Sequence, residues 1–336
     1  MEQRPLGRTG ADVSVIGLGT WQLGGDWGDV DDDAAADVLD AALDVLTASV
    51  EAGVTFFDTA DVYGDGRSEQ IIGTFLRSHP DVMVATKMGR RVDQVAANYT
   101  PENFRAWTDR SRRNLGVDTL DLVQLHCPPS EVIDANATYD ALDALVDDGT
   151  IAAYGVSVET VDQALSAIAR PNLASVQIIL NAFRLKPLDA VLPAAIDAGV
   201  GIIARVPLAS GLLSGKYDAS TTFAADDHRS YNRDGSAFDV GETFSGVDYE
   251  TGLRAAAEFT SLVSSYAPQD ATSAQAAIAW VAQLPGVSTV IPGARNPEQA
   301  RANAEAGSLP DLGDDLRHGV QRIYDEHLRA AIHPRW

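Results

Sequence analysis

Four side chains of this sequence have the types that acid–base chemistry needs. Asp58 follows Phe56-Phe57, with Tyr63 shortly after it; Lys87 ends the run Val84-Ala85-Thr86, and His126 ends Leu122-Val123-Gln124-Leu125. A tyrosine with its ordinary pKa of about 10 is a poor acid at neutral pH, but an ammonium held against the phenol stabilises phenolate and lowers that value. Lys87 can supply that charge, and Asp58 beside it would keep the amine cationic among apolar neighbours. A neutral His126 can donate a hydrogen bond to a substrate oxygen and orient it. Such a set protonates an oxygen on which negative charge develops while hydride reaches the adjoining carbon. Each residue also has a plainer use: Asp58 as a turn or cap, Tyr63 as a loop aromatic, Lys87 as a surface ion and His126 as a loop residue before Cys127-Pro128-Pro129. Their joint occurrence at the ends of predicted strands favours the chemical reading, and Ser157 after Gly155-Val156 and Gln177 within Ser175–Ile179 extend the polar set.

The elements that would position these groups are legible in the hydrophobic pattern. Strands are predicted near Val13–Gly17, Thr55–Asp58, Val82–Thr86, Leu122–Leu125, Ala153–Val156, Ser175–Ile179, Gly201–Arg205 and Ser288–Ile291. Several are apolar throughout, as strands covered on both faces are. Helical spacing fills the intervals at Asp33–Ala52, Arg67–Ser78, Pro101–Leu115, Asp134–Asp147, Thr160–Ala169, Pro187–Ala198, Tyr249–Tyr266, Ser273–Leu284 and Pro297–Ala306. Thr100-Pro101-Glu102 reads as a cap, a first-turn proline and an early acid, and Gly53, Gly116, Gly149 and Gly199 stand where helices end. The expected fold is a (β/α)8 barrel of the α/β class forming a single domain over residues 1–336, with long loops after strands 1 and 7 at Gly19–Asp32 and Ser214–Asp248. A doubly wound sheet would want a Gly-x-Gly-x-x-Gly turn, and Gly17-Leu18-Gly19-Thr20-Trp21-Gln22 lacks the third glycine.

Composition narrows the function classes. The 336 residues carry 48 acidic and 25 basic side chains, a formal charge of −23. That field should repel nucleic acid and anionic membranes. The acids are 36 Asp and 12 Glu and the bases 22 Arg and three Lys, a balance that suits a salt-rich interior or a compositional bias of the genome. One cysteine, Cys127, forms no internal disulfide, which suggests a reducing, cytoplasmic setting. No signal peptide, membrane span or histidine metal spacing is expected.

Longer motifs are similar to those of the aldo-keto reductases: Asp58-Thr59-Ala60-Asp61-Val62-Tyr63-Gly64 with Ser68-Glu69 and Gly73, then Ala85-Thr86-Lys87, Asn114-Leu115-Gly116-Val117-Asp118 running on to His126, and Tyr154-Gly155-Val156-Ser157. The resemblance runs from Leu6-Gly7-Arg8-Thr9-Gly10 to Ile291-Pro292-Gly293-Ala294. It implies that Asp58, Tyr63, Lys87 and His126 form the catalytic tetrad, with Tyr63 as proton donor in reduction and base in oxidation. It implies NADP as cofactor, NADPH preferred to NADH. Ser157 and Gln177 would hold the nicotinamide carboxamide, and Thr20, Arg205 and Pro207 would lie along the cofactor. The segment with Leu208, Ser210, Gly211, Leu213 and Lys216 would wrap the pyrophosphate, while Gly293, Arg295, Gln299 and Asn303 would grip the adenosine end, with Arg295 on the 2′-phosphate. Leu6–Val15 resembles the family's hairpin closing the barrel bottom. Two positions depart from the pattern: Val158 replaces an asparagine, and Arg205 replaces an aromatic residue that stacks on the nicotinamide.

The expected activity is carbonyl–alcohol interconversion on an aldehyde, ketone or sugar by direct hydride transfer, without metal. Trp21 and Trp27, with Tyr63 and His126, are the expected substrate contacts; Tyr99, Phe238 and Phe244 lie in loops that either line the mouth or pack against it. Arg90-Arg91 either attracts an acidic substrate or solvates its loop. Two rivals stand beside this reading: a class I aldolase with Lys87 as Schiff-base lysine, and a cofactor-binding regulatory module with negligible turnover.

Overall fold

A computed structural model of the chain describes residues 1–25 and 32–336. Residues 26–31 of the first predicted long loop, Trp27 among them, lie outside the described residues. The chain opens with an antiparallel hairpin, β1 (Gln3–Pro5) and β2 (Asp12–Ser14). Next come β3 (Leu18–Gly19), α1 (Asp32–Glu51), β4 (Phe56–Asp58), α2 (Arg67–Leu76), β5 (Met83–Met88) and α3 (Pro101–Leu115). Then follow β6 (Leu122–His126), α4 (Ser130–Asp134), α5 (Asn136–Asp147), β7 (Tyr154–Ser157), α6 (Val161–Ile168), β8 (Ser175–Ile179) and α7 (Pro187–Ala198). The last part holds β9 (Gly201–Arg205), α8 (His228–Tyr231), α9 (Tyr249–Tyr266), α10 (Ser273–Ala282), β10 (Val287–Val290), α11 (Pro297–Glu305), α12 (Gly313–Ile323) and α13 (Arg329–Ile332).

Strands β3 to β10 form one parallel sheet in sequential order. Its two edges meet through the bridges Ile16–Val290 and Gly19–Gly293, so the sheet is a nearly closed barrel with helices between strands, the (β/α)8 fold. Parallel strands of this kind must be covered on both faces, which explains their unbroken apolar runs. Inside the barrel floor, Phe56, Ala85, Leu122, Ala153, Ala174, Ile203 and Ile291 pack with Leu6 and Val13 of the hairpin, which plugs the bottom. Gly7 allows that plug to seat: a Cβ there would meet Ala174 O at 2.0 Å and Gly201 N at 2.3 Å.

Local chemistry sets the helix limits. Thr100 accepts from Asn103 N at the start of α3, with Pro101 at the first position, and Gly116 ends it at φ 70°. Gly53, Gly149 and Gly199 are left-handed at helix ends as expected. Three expectations change. Val13–Gly17 is not the first barrel strand: its first residues belong to the hairpin, and the barrel begins at Leu18, whose partner is Phe57. Asp134–Asp147 divides at Ala135, whose ψ of 124° is extended. The helix α12 was not expected, because its apolar face (Leu316, Val320, Ile323) sits in a strongly charged stretch.

Candidate active site

A parallel barrel delivers the residues at its strand ends to one mouth. Asp58 closes β4, Lys87 lies near the end of β5, and His126 and Ser157 end β6 and β7. Tyr63 reaches the same mouth from the turn after β4, where Gly64, Asp65 and Gly66 have φ of 59°, 53° and 95°. That turn packs backbone to backbone on the loop after β3: a Cβ on Gly24 would lie 2.6 Å from the Tyr63 carbonyl carbon. The spare residues of the motif are structural. Ser68 hydrogen-bonds with Thr20 and Thr59 (2.9 and 2.8 Å), and buried Glu69 accepts from Thr86 (2.6 Å) and Asn114 (2.7 Å).

The four predicted acid–base residues come together. Lys87 Nζ lies 2.5 Å from Asp58 Oδ1, 2.9 Å from Thr59 O and 3.4 Å from the Tyr63 hydroxyl, and its side chain is 1% exposed. The second oxygen of Asp58 accepts from Gln124 Nε2 at 3.0 Å and Gln177 Nε2 at 2.7 Å. The Tyr63 and His126 rings meet edge to face, 5.9 Å between centroids.

Electrostatics fixes the resting protonation. Burial raises the Tyr63 pKa, and the nearby Lys87 charge only partly offsets this, so the phenol keeps its proton at neutral pH. Burial works against the Lys87 charge, but Asp58 and Tyr63 outweigh it and the amine's pKa is raised. His126 is held well below its ordinary value by burial and by the positive Arg90, Lys87 and Arg205, which makes it a neutral imidazole.

The mouth also holds charges that sequence reasoning did not single out. Glu159, just past β7, lies 2.9 Å from Arg205 Nη2, and Glu242, from the long loop after β9, lies 3.1 Å from Arg90 Nη2 and 3.7 Å from Arg205 Nη1. Arg90 Nη1 is 3.5 Å from His126 Nε2. Arg205 is therefore paired with carboxylates at the end of β9. Gln124 was also missed, although it stands two residues before His126 on one strand and so on the same face. Glu242 had no such signal, since no periodicity ties a loop residue to the barrel.

The other predicted contacts spread along the mouth. Thr20 is buried and bonds Asp58 O, while Ser157 Oγ faces Cys127 Sγ at 3.6 Å. Past Arg205 and Pro207, the backbone turns left-handed at Val206, Ala209, Ser210 and Gly211 in the segment that contains Leu208 and Leu213. Ser210 Oγ bonds Glu242 O and Phe244 N, tying this segment to the long loop. Lys216 is exposed. Gly211 abuts Tyr217, whose hydroxyl accepts from Arg229; Arg229 pairs with Asp227, and Asp227 lies 3.7 Å from Arg295. Gln299 accepts from Arg295 N at 2.9 Å and Asn303 donates to Gly293 O at 3.1 Å, which shapes the approach to α11. Trp21 is 42% exposed with its edge on His228, whereas Tyr99 and Phe244 are buried in packing roles.

Comparison with known proteins agrees with this architecture. The model of the Aldo/keto reductase family matches residues 15–321. The chain is 29% identical over 340 residues to aldo-keto reductase YhdN of Bacillus subtilis, covering 99% of this chain and 97% of the relative. The structure of glycerol dehydrogenase AKR11B4 from Gluconobacter oxydans superposes with a TM-score of 0.78 at 30% identity, covering 99% of this chain and 98% of that one. An aldo-keto reductase from Klebsiella pneumoniae, solved with NADPH, shares the fold with a TM-score of 0.70 at 23% identity over 96% of each chain. The chain belongs to the aldo/keto reductase family and is by that membership an oxidoreductase.

Proposed function

We propose that the chain is an NADP(H)-dependent oxidoreductase interconverting carbonyl and alcohol groups of aldehydes, ketones or sugars, with Tyr63 as the acid–base residue. The observation that carries this reading is the buried Lys87 ammonium placed between the Asp58 carboxylate and the Tyr63 hydroxyl. NADPH, when bound, supplies a hydride to the carbonyl carbon. Tyr63, protonated at rest, then gives its proton to the oxygen, and Lys87 offsets the phenolate left behind. Neutral His126 orients the same oxygen. In the oxidative direction Tyr63 must first lose a proton, and its raised pKa makes that direction favour alkaline pH.

The residues at the mouth fit such a cofactor. Gly211 packs so closely on Tyr217 that a side chain would collide, and the backbone around it is left-handed at Val206, Ala209, Ser210 and Gly211. Lys216 and Arg295 add exposed cations for the phosphates. The similarity to a glycerol dehydrogenase brings small polyols into the substrate range. A Schiff-base role for Lys87 fits less well, because the amine is charged and donates to Asp58 and to Thr59 O.

Assay of NADPH oxidation and NADP+ reduction across a carbonyl and polyol panel tests this reading. Tyr63→Phe should cut kcat by roughly 10²–10⁴-fold and leave the NADPH Kd nearly unchanged. Undiminished turnover in that variant refutes the proton-transfer role. Tight NADPH binding by the unaltered protein with no turnover across the panel would instead favour the regulatory module.

A further inference from the structure

The two ion pairs at the barrel mouth differ in what carries them. Arg205 ends β9 and Glu159 stands two residues past the end of β7, with a 2.9 Å contact between them. Arg90 stands two residues past the end of β5; Glu159 is 4.0 Å from it, and its nearer partner Glu242, at 3.1 Å, arrives from the 3-10 turn Val240–Glu242 of the long loop. A carboxylate on a long loop can withdraw while a guanidinium next to a barrel strand stays in place. Arg90's other neighbour belongs to the acid–base set: Nη1 is 3.5 Å from His126 Nε2. Its side chain is 19% exposed, so the guanidinium is largely removed from water and requires an anion.

Charge accounting gives the consequence. With Glu242 seated, two guanidiniums face two crowded carboxylates. Withdrawal of Glu242 removes that crowding, leaves Glu159 on Arg205 at 2.9 Å, and leaves Arg90 beside His126 with only a longer 4.0 Å contact to Glu159. We propose that Arg90 is a specificity-determining residue that binds the carboxylate of a short oxo acid, or of the matching hydroxy acid, and that Glu242 holds the guanidinium until such a substrate arrives. The short span from Arg90 to His126 restricts carboxylate and carbonyl to a separation of about one to three carbons, at about 1.5 Å per bond. Arg suits this role because its planar fork matches a carboxylate in two parallel hydrogen bonds. The carboxylate is unchanged in the reaction: hydride adds to the carbonyl carbon and the Tyr63 proton to its oxygen. This proposal rests on the carbonyl-reducing function above.

The test compares kcat/KM with NADPH for pyruvate against methyl pyruvate, and for 4-oxobutanoate against its methyl ester. The unaltered enzyme should prefer at least one acid over its ester by about tenfold or more. Arg90→Gln should bring that ratio close to one through the KM of the acid, Arg90→Lys should give an intermediate ratio, and Glu242→Gln should lower the acid's KM. Equal or better use of both esters by the unaltered enzyme, or an acid preference surviving in Arg90→Gln, overturns the proposal. Calorimetric titration with oxamate, a non-reacting analogue, separates the two readings. Binding that tightens in Glu242→Gln and disappears in Arg90→Gln supports the carboxylate site even if no carbonyl is turned over, a result that would sink only the reductase reading. Oxamate binding insensitive to either variant, or no binding at all, rejects the site.

Discussion

Two buried aspartates near one another in the sequence have opposite circumstances. Asp58 has both oxygens occupied, by Lys87 on one side and by Gln124 and Gln177 on the other, which places its carboxylate as the partner of the buried Lys87 ammonium. Asp61 is equally buried, but its Oδ1 has no hydrogen-bond partner. Burial, reinforced by Glu69, pushes its pKa up to about 7. A carboxyl whose folded pKa exceeds its unfolded value of 3.8 binds more protons in the native state between those values. Its stabilising contribution is therefore complete below the unfolded pKa and is lost as pH rises through 7. Asp61→Asn should match the parent near pH 4 and exceed it at pH 8 by about 2–4 kcal/mol, read as a difference in denaturant or thermal unfolding at each pH. A difference that stays constant from pH 4 to 8 would mean that Asp61 does not titrate in this way.

Elements were more legible than their junctions. Seven of the eight barrel strands could be read from apolar runs, because a strand covered on both faces leaves a pattern independent of its partners. The first strand could not: Leu18–Gly19 is two residues long, and its place is set by bridges to Val290 and Gly293, nearly the whole chain away. The cluster of Asp58, Tyr63, Lys87 and His126 was legible because each member sits on or near a strand end. Glu242 was not, since its place is set only when the long loop folds onto the mouth, nor was Glu159, which stands in a bend past β7 and meets Arg205 of a different strand. The same loop brings Asp227 against Arg295 at the start of α11. The pair is exposed on the arginine side, so it is weak and replaceable by a phosphate. Arg295→Ala should raise the Kd of NADPH by about tenfold while changing that of NADH much less, since a charge-assisted contact to phosphate contributes about 1.5–3 kcal/mol when well formed. Fluorescence titration of both cofactors checks this, and an equal loss for the two removes Arg295 from the 2′-phosphate.

At the scale of the whole molecule, charge is the dominant unexplained property. The formal charge of −23 belongs to a chain with only three lysines, of which Lys87 is buried, and many of the arginines are already consumed. Arg105, Arg317 and Arg329 are paired locally with Asp148, Asp311 and Asp325, while Arg90 and Arg205 are sequestered in the mouth. Among the described residues no helix is long and apolar enough to cross a membrane. Self-repulsion between carboxylates acts over a Debye length of about 10 Å at 0.1 M salt and about 3 Å at 1 M. Salt should accordingly stabilise the fold as it screens this repulsion, even though it weakens the local arginine pairs, because uncompensated acids outnumber the pairs. Unfolding followed from 0.05 to 2 M potassium chloride should show Tm rising steadily, with most of the gain below about 1 M, where the screening length changes most. The sign decides between two accounts of the composition. A rise that continues into the molar range marks a surface adapted to a salt-rich interior, whereas full stability in dilute buffer with a flat profile leaves genome bias as the source of the aspartates.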